Sequence, residues 1–545
     1  MSEPLHIRRV LGSGPFAEIG QPRVAARDDV RGLVAIGGSV GSLYWHGRSL
    51  DRWRGYRVGV YGLDDLDCRR LVPSHWPVLD VAFHPDLPLL AVGTGAYDGG
   101  YQYEGELLLI DLEKDTVVSA LKHCREVRRV RWREDGCALE LVVAPCDDDS
   151  DDSPETHGFA AVVERDDWRS VIRRGIPSNE LLGPRVEAVR RPADVNRVAR
   201  ETVAGLAEAR GTSWSLRRQV RAVEQLDDGR VLGVLDGTKL ESWLPSGGAE
   251  WSLPDPDGAR ELHVHPDRKS AWVGMHGPNR WVDGTGWEDV PSVVERLSLA
   301  DGATLDTVEA TFPAALTAAR DGRIALRNTR HDRPNTPTVL LTPEGTRSAG
   351  PALGGYDCVN TFFAVRRSPE LLFLQGGKKK YWEDKWVVAV DPVTDGSGKP
   401  AVRRLFPLAW DAVRSGHVLG GPAVRLVGGD GTGGALVHAG EIHHSHGPQP
   451  DRTFVARRGF PDGLPQWVFT ADHPVTALDS DGETVFAAFT SGEVVALDAT
   501  DGTLRWRTDV TVDGIPTTVL ALTASAPGRL LLGTVDGRIL VGESS

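Results

Sequence analysis

The sequence predicts an all-β fold built from about ten repeated four-stranded units, because three features of the chain agree. A strand–turn–strand pattern recurs along the 545 residues and is clearest at Glu493–Asp509, where an apolar strand leads into an Asp/Gly turn and a second strand carrying a Trp. The 62 Gly and 35 Pro residues are spread along the chain, as expected for many short strands joined by turns. Patterns with a helical period are scarce.

Each unit is predicted to hold four consecutive strands, and its second-to-third connection lies at the same end as the connection to the next unit. The predicted units start near residues 24, 78, 125, 215, 258, 314, 356, 416, 474 and 516. The last unit has only three strands. The apolar segment Leu5–Leu11 is the candidate for its fourth strand, which would close a ring and hide sheet edges. The alternative is that this segment is a frayed terminus.

Two stretches of the repeat resemble known families. ALDATDGTLRW (496–506) resembles the repeat of quinoprotein-type, PQQ-like propellers, and VLDVAFHPDLPLLAVG (78–93) resembles a WD40-type repeat without its terminal Trp-Asp. The resemblance implies one β-propeller domain over residues 1–545, with about ten blades in one large ring or two rings. Quinoprotein dehydrogenases are exported and hold PQQ and a metal ion in the central channel. This chain shows no export signal and no adjacent Cys pair, so the resemblance implies the fold without the activity, and no cofactor is predicted.

One helical insertion is predicted at residues 177–214, between the third and fourth units. Within it, the stretch 192–209 places apolar side chains on one helical face. Those residues are Val195, Val198, Ala199, Val203 and Leu206. The helix either packs against the flank of a propeller or binds a partner.

Composition excludes several classes of function. A formal net charge of −14 argues against nucleic-acid binding. Five cysteines without a CxxC pair favour neither a disulfide framework nor a zinc site, and a reducing cytoplasm is the expected location. The sequence contains no apolar stretch of about 18 residues or more, so no membrane span is predicted.

Several apparent motifs lack the context that their chemistry requires. Ser39 in GGSVG has no following helix to form a nucleophile elbow, so no catalytic residue is predicted. The acidic run 147–152 lacks the Gly and Glu of a calcium loop. His443, His444 and His446 are candidate metal ligands, but adjacent residues on a strand point to opposite sides and no carboxylate or Cys completes the set. No metal site is therefore assigned.

The pattern that points most directly to function is the position of the insertions. Seven of the ten units carry extra residues between their second and third strands, and these loops are rich in aromatic side chains that dominate the energetics of protein interfaces. The candidate partner-binding residues are Tyr44, Trp45, Trp53, Tyr101, Tyr103, Trp281, Trp287, Tyr381, Trp382 and Trp386. The alternative is that the loops fold over the ring and bury their own aromatic side chains.

The sequence therefore predicts a non-enzymatic scaffold that binds a protein partner through these loops. The rival hypothesis is an enzyme or a small-ligand or metal sensor, with a polar pocket at the channel mouth on the same face.

Overall fold

The computed structural model describes most of the chain. The described ranges are 4–41, 43–45, 48–51, 55–97, 103–145, 155–189, 195–275, 280–282, 286–288, 291–329, 333–354, 363–376, 384–394, 400–409, 417–428, 434–443 and 452–544. The chain divides into two compact modules. The small module comprises Ser13–Leu43 and Asp51–Arg218, and the large module comprises Met1–Gly12, Tyr44–Leu50 and Gln219–Ser545.

The first strand of the chain, β1 (Leu5–Leu11), belongs to the large module. The small module then contains three four-stranded sheets. The first consists of β2 (Gln21–Asp28), β3 (Leu33–Ser39), β6 (Tyr56–Gly62) and β7 (Cys68–Ser74), and the short strands β4 (Leu43–Trp45) and β5 (Arg48–Asp51) lie between β3 and β6 in sequence. The second consists of β8 (Val78–Phe83), β9 (Leu89–Thr94), β12 (Leu107–Asp111) and β13 (Thr116–Ser119), with the hairpin β10 (Ala96–Tyr97) and β11 (Tyr103–Glu104) inserted. The third consists of β14 (Val127–Trp132), β15 (Ala138–Val143), β16 (His157–Glu164) and β17 (Arg185–Glu187).

The helix α1 (Val195–Ala209) packs within the small module and confirms the predicted helical segment. Val203, Leu206 and Ala207 are buried in one apolar cluster with side chains of β3 and β6. Val198, which the sequence placed on the same face, is 48% exposed. Because Ala199, Val203 and Ala207 are spaced four residues apart, the buried stripe is centred on them and Val198 lies beyond its edge. Short 3-10 turns occur at Ala17–Ile19, Trp168–Ser170 and Ser178–Leu181.

The large module contains the remaining sheets. The fourth sheet of the chain consists of β18 (Val220–Gln225), β19 (Val231–Leu235), β20 (Thr238–Trp243) and β21 (Ala249–Pro254), and the fifth of β22 (Glu261–Val264), β23 (Ser270–Met275), β26 (Val293–Ser298) and β27 (Thr304–Glu309), with the hairpin β24 (Arg280–Val282) and β25 (Gly286–Glu288) inserted. The sixth consists of β28 (Ala314–Ala318), β29 (Ile324–Asn328), β30 (Pro337–Leu341) and β31 (Arg347–Ala352).

The last four units follow in the same order along the chain. The seventh contains β32 (Ala364–Arg366), β33 (Leu371–Gln375), β34 (Trp386–Thr394) and β35 (Pro400–Pro407). The four strands of the eighth are β37 (Pro422–Val427), β38 (Gly434–His443), β39 (Thr453–Gly459) and β40 (Pro465–Ala471), and the short extra strand β36 (His417–Leu419) precedes them and pairs with β38. The ninth contains β41 (Val475–Ser480), β42 (Thr484–Phe489), β43 (Glu493–Asp498) and β44 (Leu504–Asp509). After the hairpin β45 (Thr511–Val512) and β46 (Ile515–Pro516), the tenth contains β47 (Val519–Ala526), β48 (Arg529–Thr534) and β49 (Ile539–Ser544).

The segment Leu5–Leu11 is the fourth strand of the last sheet. β1 pairs antiparallel with β49, from Leu5 opposite Ser544 to Leu11 opposite Ile539. Its side chains also join the cores, since Leu5 lies in the cluster of the ninth and tenth sheets and Leu11 lies in the cluster that β18 shares with β48. The strand is therefore held by both hydrogen bonds and apolar burial.

Two local features differ from the predicted pattern. β32 pairs in parallel with β37, the first strand of the next sheet, and leaves a three-stranded sheet of β33, β34 and β35. A strand of only three residues offers few hydrogen bonds to fix its partner, so neighbouring strands compete for it. In addition, β17 lies inside the segment that the sequence assigned to the helical insertion, because it supplies the fourth strand of the third sheet.

The prediction of an all-β protein with many four-stranded antiparallel sheets is confirmed. The strands of a sheet differ in burial according to their position, as the ninth sheet shows. β42 (TVFAAF) is buried at every position, whereas β44 (LRWRTD) has no buried residue. Apolar packing between neighbouring sheets thus forms the core, and the last strands face outward.

Candidate functional site

A central cavity of about 380 Å³ lies in the large module and is the candidate site. Its walls consist of residues at and after the carboxyl ends of the first strands of five units, β18, β22, β28, β32 and β47. A smaller cavity of about 120 Å³ adjoins these residues, and the first strands of all seven units of the large module contribute to its walls. Leu262, His263, Val365 and Arg366 line both cavities.

A buried carboxylate organises the charges beside the central cavity. Asp479, at β41, is fully buried and accepts two hydrogen bonds from Arg367, Nε to Oδ1 at 2.7 Å and NH2 to Oδ2 at 2.8 Å. The backbone N–H of Ala524 donates to Oδ2 at 3.0 Å, and Arg366 Nε lies 3.6 Å from the same oxygen. Burial alone would raise the pKa of Asp479, but the two guanidinium groups outweigh it and the pKa is lowered. Asp479 is therefore ionised at neutral pH.

Arg366 links this carboxylate to the fourth and tenth sheets. Its NH2 donates to Thr523 Oγ1 at 2.9 Å and forms an ion pair with Glu224. Thr523 Oγ1 in turn donates to the carbonyl of Val223 at 2.6 Å. We call Glu224, Arg366, Arg367 and Asp479 the arginine–aspartate cluster. It joins residues that are as far as 255 positions apart in sequence, Glu224 and Asp479.

Backbone geometry brings the two consecutive arginines to one carboxylate. Neighbouring residues on an extended strand point to opposite faces. Arg367 follows β32 directly and has a φ of 59°, in the left-handed region that few non-glycine residues adopt. This turn directs Arg367 toward the same side as Arg366, and the bidentate pair with Asp479 offsets its conformational cost of roughly 1–2 kcal/mol.

Two further ionisable groups of β22 face the cavities. Burial and the nearby charge of Arg366 lower the pKa of His263 to about 4, so its imidazole is neutral at pH 7. Burial raises the pKa of Glu261 to about 8, although the Leu316 N–H and Arg260 act in the opposite direction. The Leu316 N–H donates to both carboxyl oxygens of Glu261, at 3.2 and 3.0 Å.

The long loops leave from the opposite end of the same strands. In the fifth sheet Glu261 pairs with Gly274, so the insertion after Met275 starts beside the beginning of β22. In the sixth sheet Ala314 pairs with Asn328, next to the insertion that follows it. The central cavity instead lies where β22 and β28 end. The sequence hypothesis of a polar pocket on the loop side thus differs from the position of this cavity.

The predicted aromatic residues fall into three groups. Tyr44, Trp45, Trp281 and Trp287 lie on the short strands β4, β24 and β25, where only their backbone is described, and Trp281 is paired with Trp287. Trp53, Tyr101, Tyr381 and Trp382 lie outside the described residues.

Tyr103 and Trp386 form the third group, and both contact their own fold. The Tyr103 hydroxyl donates to Glu155 at 3.0 Å, and Arg128 lies over its ring at 5.2 Å. Trp386 packs on the core of the seventh sheet with Arg404 over its ring at 5.5 Å. Both residues are partly buried and contact other parts of the fold.

The candidate metal ligands lie largely outside the described residues. His443 is the last residue of β38, and only its backbone is described, while His444 and His446 lie outside the described ranges. Among the described residues no three His, Cys, Asp or Glu side chains are grouped as metal ligands. Within the same ranges, no helix is long and apolar enough to cross a membrane.

Sequence reasoning missed the arginine–aspartate cluster. Arg366 and Arg367 follow an unremarkable apolar segment, and Asp479 lies in an Asp-Ser-Asp-Gly stretch that looks like an ordinary turn. The one available signal was the pair of adjacent arginines just before Ser-Pro, at the end of a predicted inner strand.

Comparison with known proteins gives one finding on the repeat. Residues 455–540 match the family model PQQ_2, described as outer membrane protein assembly factor BamB. The matched segment begins in β39, includes the whole ninth sheet and ends in β49. It therefore contains the clearest copy of the repeat. No curated protein matches the chain.

Proposed function

We propose that this chain, a PQQ-like β-propeller repeat protein, is a non-enzymatic scaffold that binds a protein partner through the loops between the second and third strands of its sheets. The observation that carries the proposal is the placement of the insertions. In the fifth and sixth sheets the insertions start beside the beginning of the first strand. In the eighth sheet Ala423, near the beginning of β37, pairs with His438. The insertion after His443 therefore leaves at the same end. We call this side of the large module the loop end.

We infer that the seven units of the large module form one closed ring. Two observations support this. The first strands of all seven line the smaller cavity, and β18 of the first packs beside β47 of the last. β1 then completes the last sheet and covers its outer edge.

A rigid ring suits a scaffold for physical reasons. Loops anchored on a packed framework lose little conformational entropy when a partner binds. The matched family model carries the name of an assembly factor, which points to protein interaction as the role of such a repeat. Cytoplasmic location remains part of the proposal, since the cysteines include no CxxC pair.

The contacts of the described residues refine the choice of binding candidates. Tyr103 contacts Glu155 and Arg128 of β14, and Trp386 contacts Arg404 of its own sheet, so we assign both residues to the support of the loops. In the hairpin β24–β25 the backbones of Trp281 and Trp287 lie opposite each other, so two residues of a type that dominates protein interfaces share one cross-strand position. We therefore place the binding centre at this hairpin.

The test compares capture of a partner by the full chain and by matched variants. A double variant, Trp281→Ala with Trp287→Ala, should lose the partner that the tagged wild-type protein captures from an extract of its native host. Leu504→Ala is the control, because Leu504 is 40% exposed on the outward-facing strand β44. We expect this control to capture the partner fully.

Two outcomes would contradict the proposal. Equal capture by the double variant and the wild type would remove the hairpin from the interface. A large drop in the melting temperature of the double variant would show that the two tryptophans are buried in the fold.

A further inference from the structure

We propose that the central cavity of the large module binds a small molecule that carries an oxyanion, a carboxylate or a phosphate, on Arg366 and Arg367. This site lies at the opposite end of the first strands from the loop end. It is a second site, distinct from the protein-binding surface.

The first argument is the unequal exposure of Asp479 and the two arginines that it binds. The Asp479 side chain is completely buried, whereas the Arg366 and Arg367 side chains are 28% and 31% exposed. Both arginines line the cavity. The buried carboxylate thus fixes the two guanidinium groups on their protein side and leaves part of each facing the cavity, where Glu224, 24% exposed, pairs with Arg366.

The second argument is that each guanidinium group retains free donors. Arg367 uses Nε and NH2 for Asp479, and NH2 also donates to the carbonyl of Ala524. Arg366 uses NH2 for Glu224 and Thr523. Within the described part of the chain neither NH1 group makes a hydrogen bond, and neither belongs to the buried polar atoms that lack a partner. Two accessible NH1 groups on consecutive residues offer four N–H donors to one oxyanion.

The third argument is the strained backbone at Arg367. A non-glycine residue in the left-handed region costs free energy, and such residues concentrate at functional sites. The strain here places the second arginine beside the first, which an extended strand would prevent. One arginine would be enough to pair with Asp479, so the second arginine is available for another role.

The remaining polar groups of the wall fit a small anionic ligand. Arg320 and Arg268 add positive charge, and His263 adds a neutral ring that forms no hydrogen bond with any described residue. Among the described residues of the wall Glu224 is the one acidic side chain, and Arg366 NH2 pairs with it. A volume of about 380 Å³ is at the lower end for small-molecule sites, roughly 300–1,000 Å³, which favours a small metabolite over a peptide.

Isothermal titration calorimetry of the full-length protein tests the proposal with two probes, inorganic phosphate and succinate. We expect saturable binding of at least one probe, and the preferred probe identifies the ligand as a phosphate or a carboxylate compound. Arg366→Gln should weaken binding about tenfold or more, the loss expected for a charge-assisted hydrogen bond.

A second variant and a control keep the outcome interpretable if Arg366→Gln is poorly folded. Arg320→Gln removes a positive charge whose side chain makes no hydrogen bond or ion pair with a described residue, so it should weaken binding while the melting temperature stays unchanged. Arg505→Gln removes a surface arginine paired with Asp498 outside the cavity and should bind as the wild type does. Absence of saturable binding of both probes to the wild type would overturn the proposal. So would equal affinities of the wild type, Arg366→Gln and Arg320→Gln.

Discussion

At the scale of single residues, Arg268 and Arg367 form a natural matched pair. Both have a positive φ, 56° and 59°, and both pair with an aspartate. They differ in the partner, because the Asp227 side chain is 81% exposed and that of Asp479 is fully buried. Gly322 occupies the position equivalent to Arg268 in the sixth sheet, with a φ of 89°, so glycine suits this backbone conformation.

The pair yields a stability prediction. Arg367→Gly should lower the free energy of unfolding by about 3 kcal/mol, since it deprives a buried carboxylate of its bidentate partner. Arg268→Gly should change it by less than about 1 kcal/mol, because exposed ion pairs contribute little and glycine relieves the backbone strain. Chemical denaturation of the two variants measures the difference. Similar losses in both would show that Asp479 does not depend on Arg367.

Glu261 gives a prediction about pH. Its pKa is raised by burial to about 8, against 4.5 for an ordinary glutamate, so the folded protein binds more protons than the unfolded chain between these two values. The contribution of Glu261 to stability is therefore largest below pH 4.5 and decreases as pH rises toward 8. Glu261→Gln removes this dependence and keeps an oxygen to accept from Leu316.

The measurement is the difference in free energy of unfolding between Glu261→Gln and the wild type at pH 5 and at pH 8. We expect the variant to gain relative to the wild type as pH rises, by at most about 1.4 kcal/mol per pH unit. A difference that is constant with pH, or that changes in the opposite direction, would contradict the raised pKa.

At the scale of elements, the helix α1 shows which part of a buried helical face the periodicity of apolar residues predicts. The apolar spacing predicted the helix and most of its buried face, because a period of 3.6 residues is a local property. The edge of the buried face depends on which residues of the neighbouring strands pack on the helix, and here those residues do not reach Val198. Side-chain spacing alone cannot supply that information.

Two valines of α1 test this assignment. Val203→Asp should destabilise the small module by roughly 3 kcal/mol, because it buries an unpaired charge in the cluster with Tyr61 and Ile36. Val198→Asp should change the free energy of unfolding by less than about 0.5 kcal/mol, since Val198 is half exposed. Thermal unfolding followed by circular dichroism compares them. Equal effects would mean that the helix is packed on a different face.

At the scale of the whole molecule, the sheets could be predicted and the cavity could not. Alternating apolar residues and Asp/Gly turns are short-range signals, so strands such as Glu493–Asp498 and the pairing partner Leu5–Leu11 are visible in sequence. The arginine–aspartate cluster depends on strands 112 residues apart, Arg367 and Asp479, converging at one point. Its geometry also requires a left-handed turn at an arginine, for which no residue pattern exists.

The pairing of β1 with β49 leads to a prediction for the large module. If the N-terminal strand completes the last sheet, the amides of Leu5–Leu11 that pair with β49 should exchange with solvent as slowly as those of β47–β49. Hydrogen exchange followed by mass spectrometry measures this. Deletion of residues 1–11 should then speed exchange in β49. Fast exchange of Leu5–Leu11 in the intact chain would contradict the pairing of β1 with β49.

The claim that a protein partner binds at the loop end is tested most directly by cross-linking the captured complex and locating the cross-links by mass spectrometry. The account predicts that partner cross-links concentrate in the insertions 275–292, 328–336, 378–386 and 443–452 of the large module. Cross-links concentrated instead at the opposite end, around Arg268, Arg320 and Ser525 beside the central cavity, would contradict it.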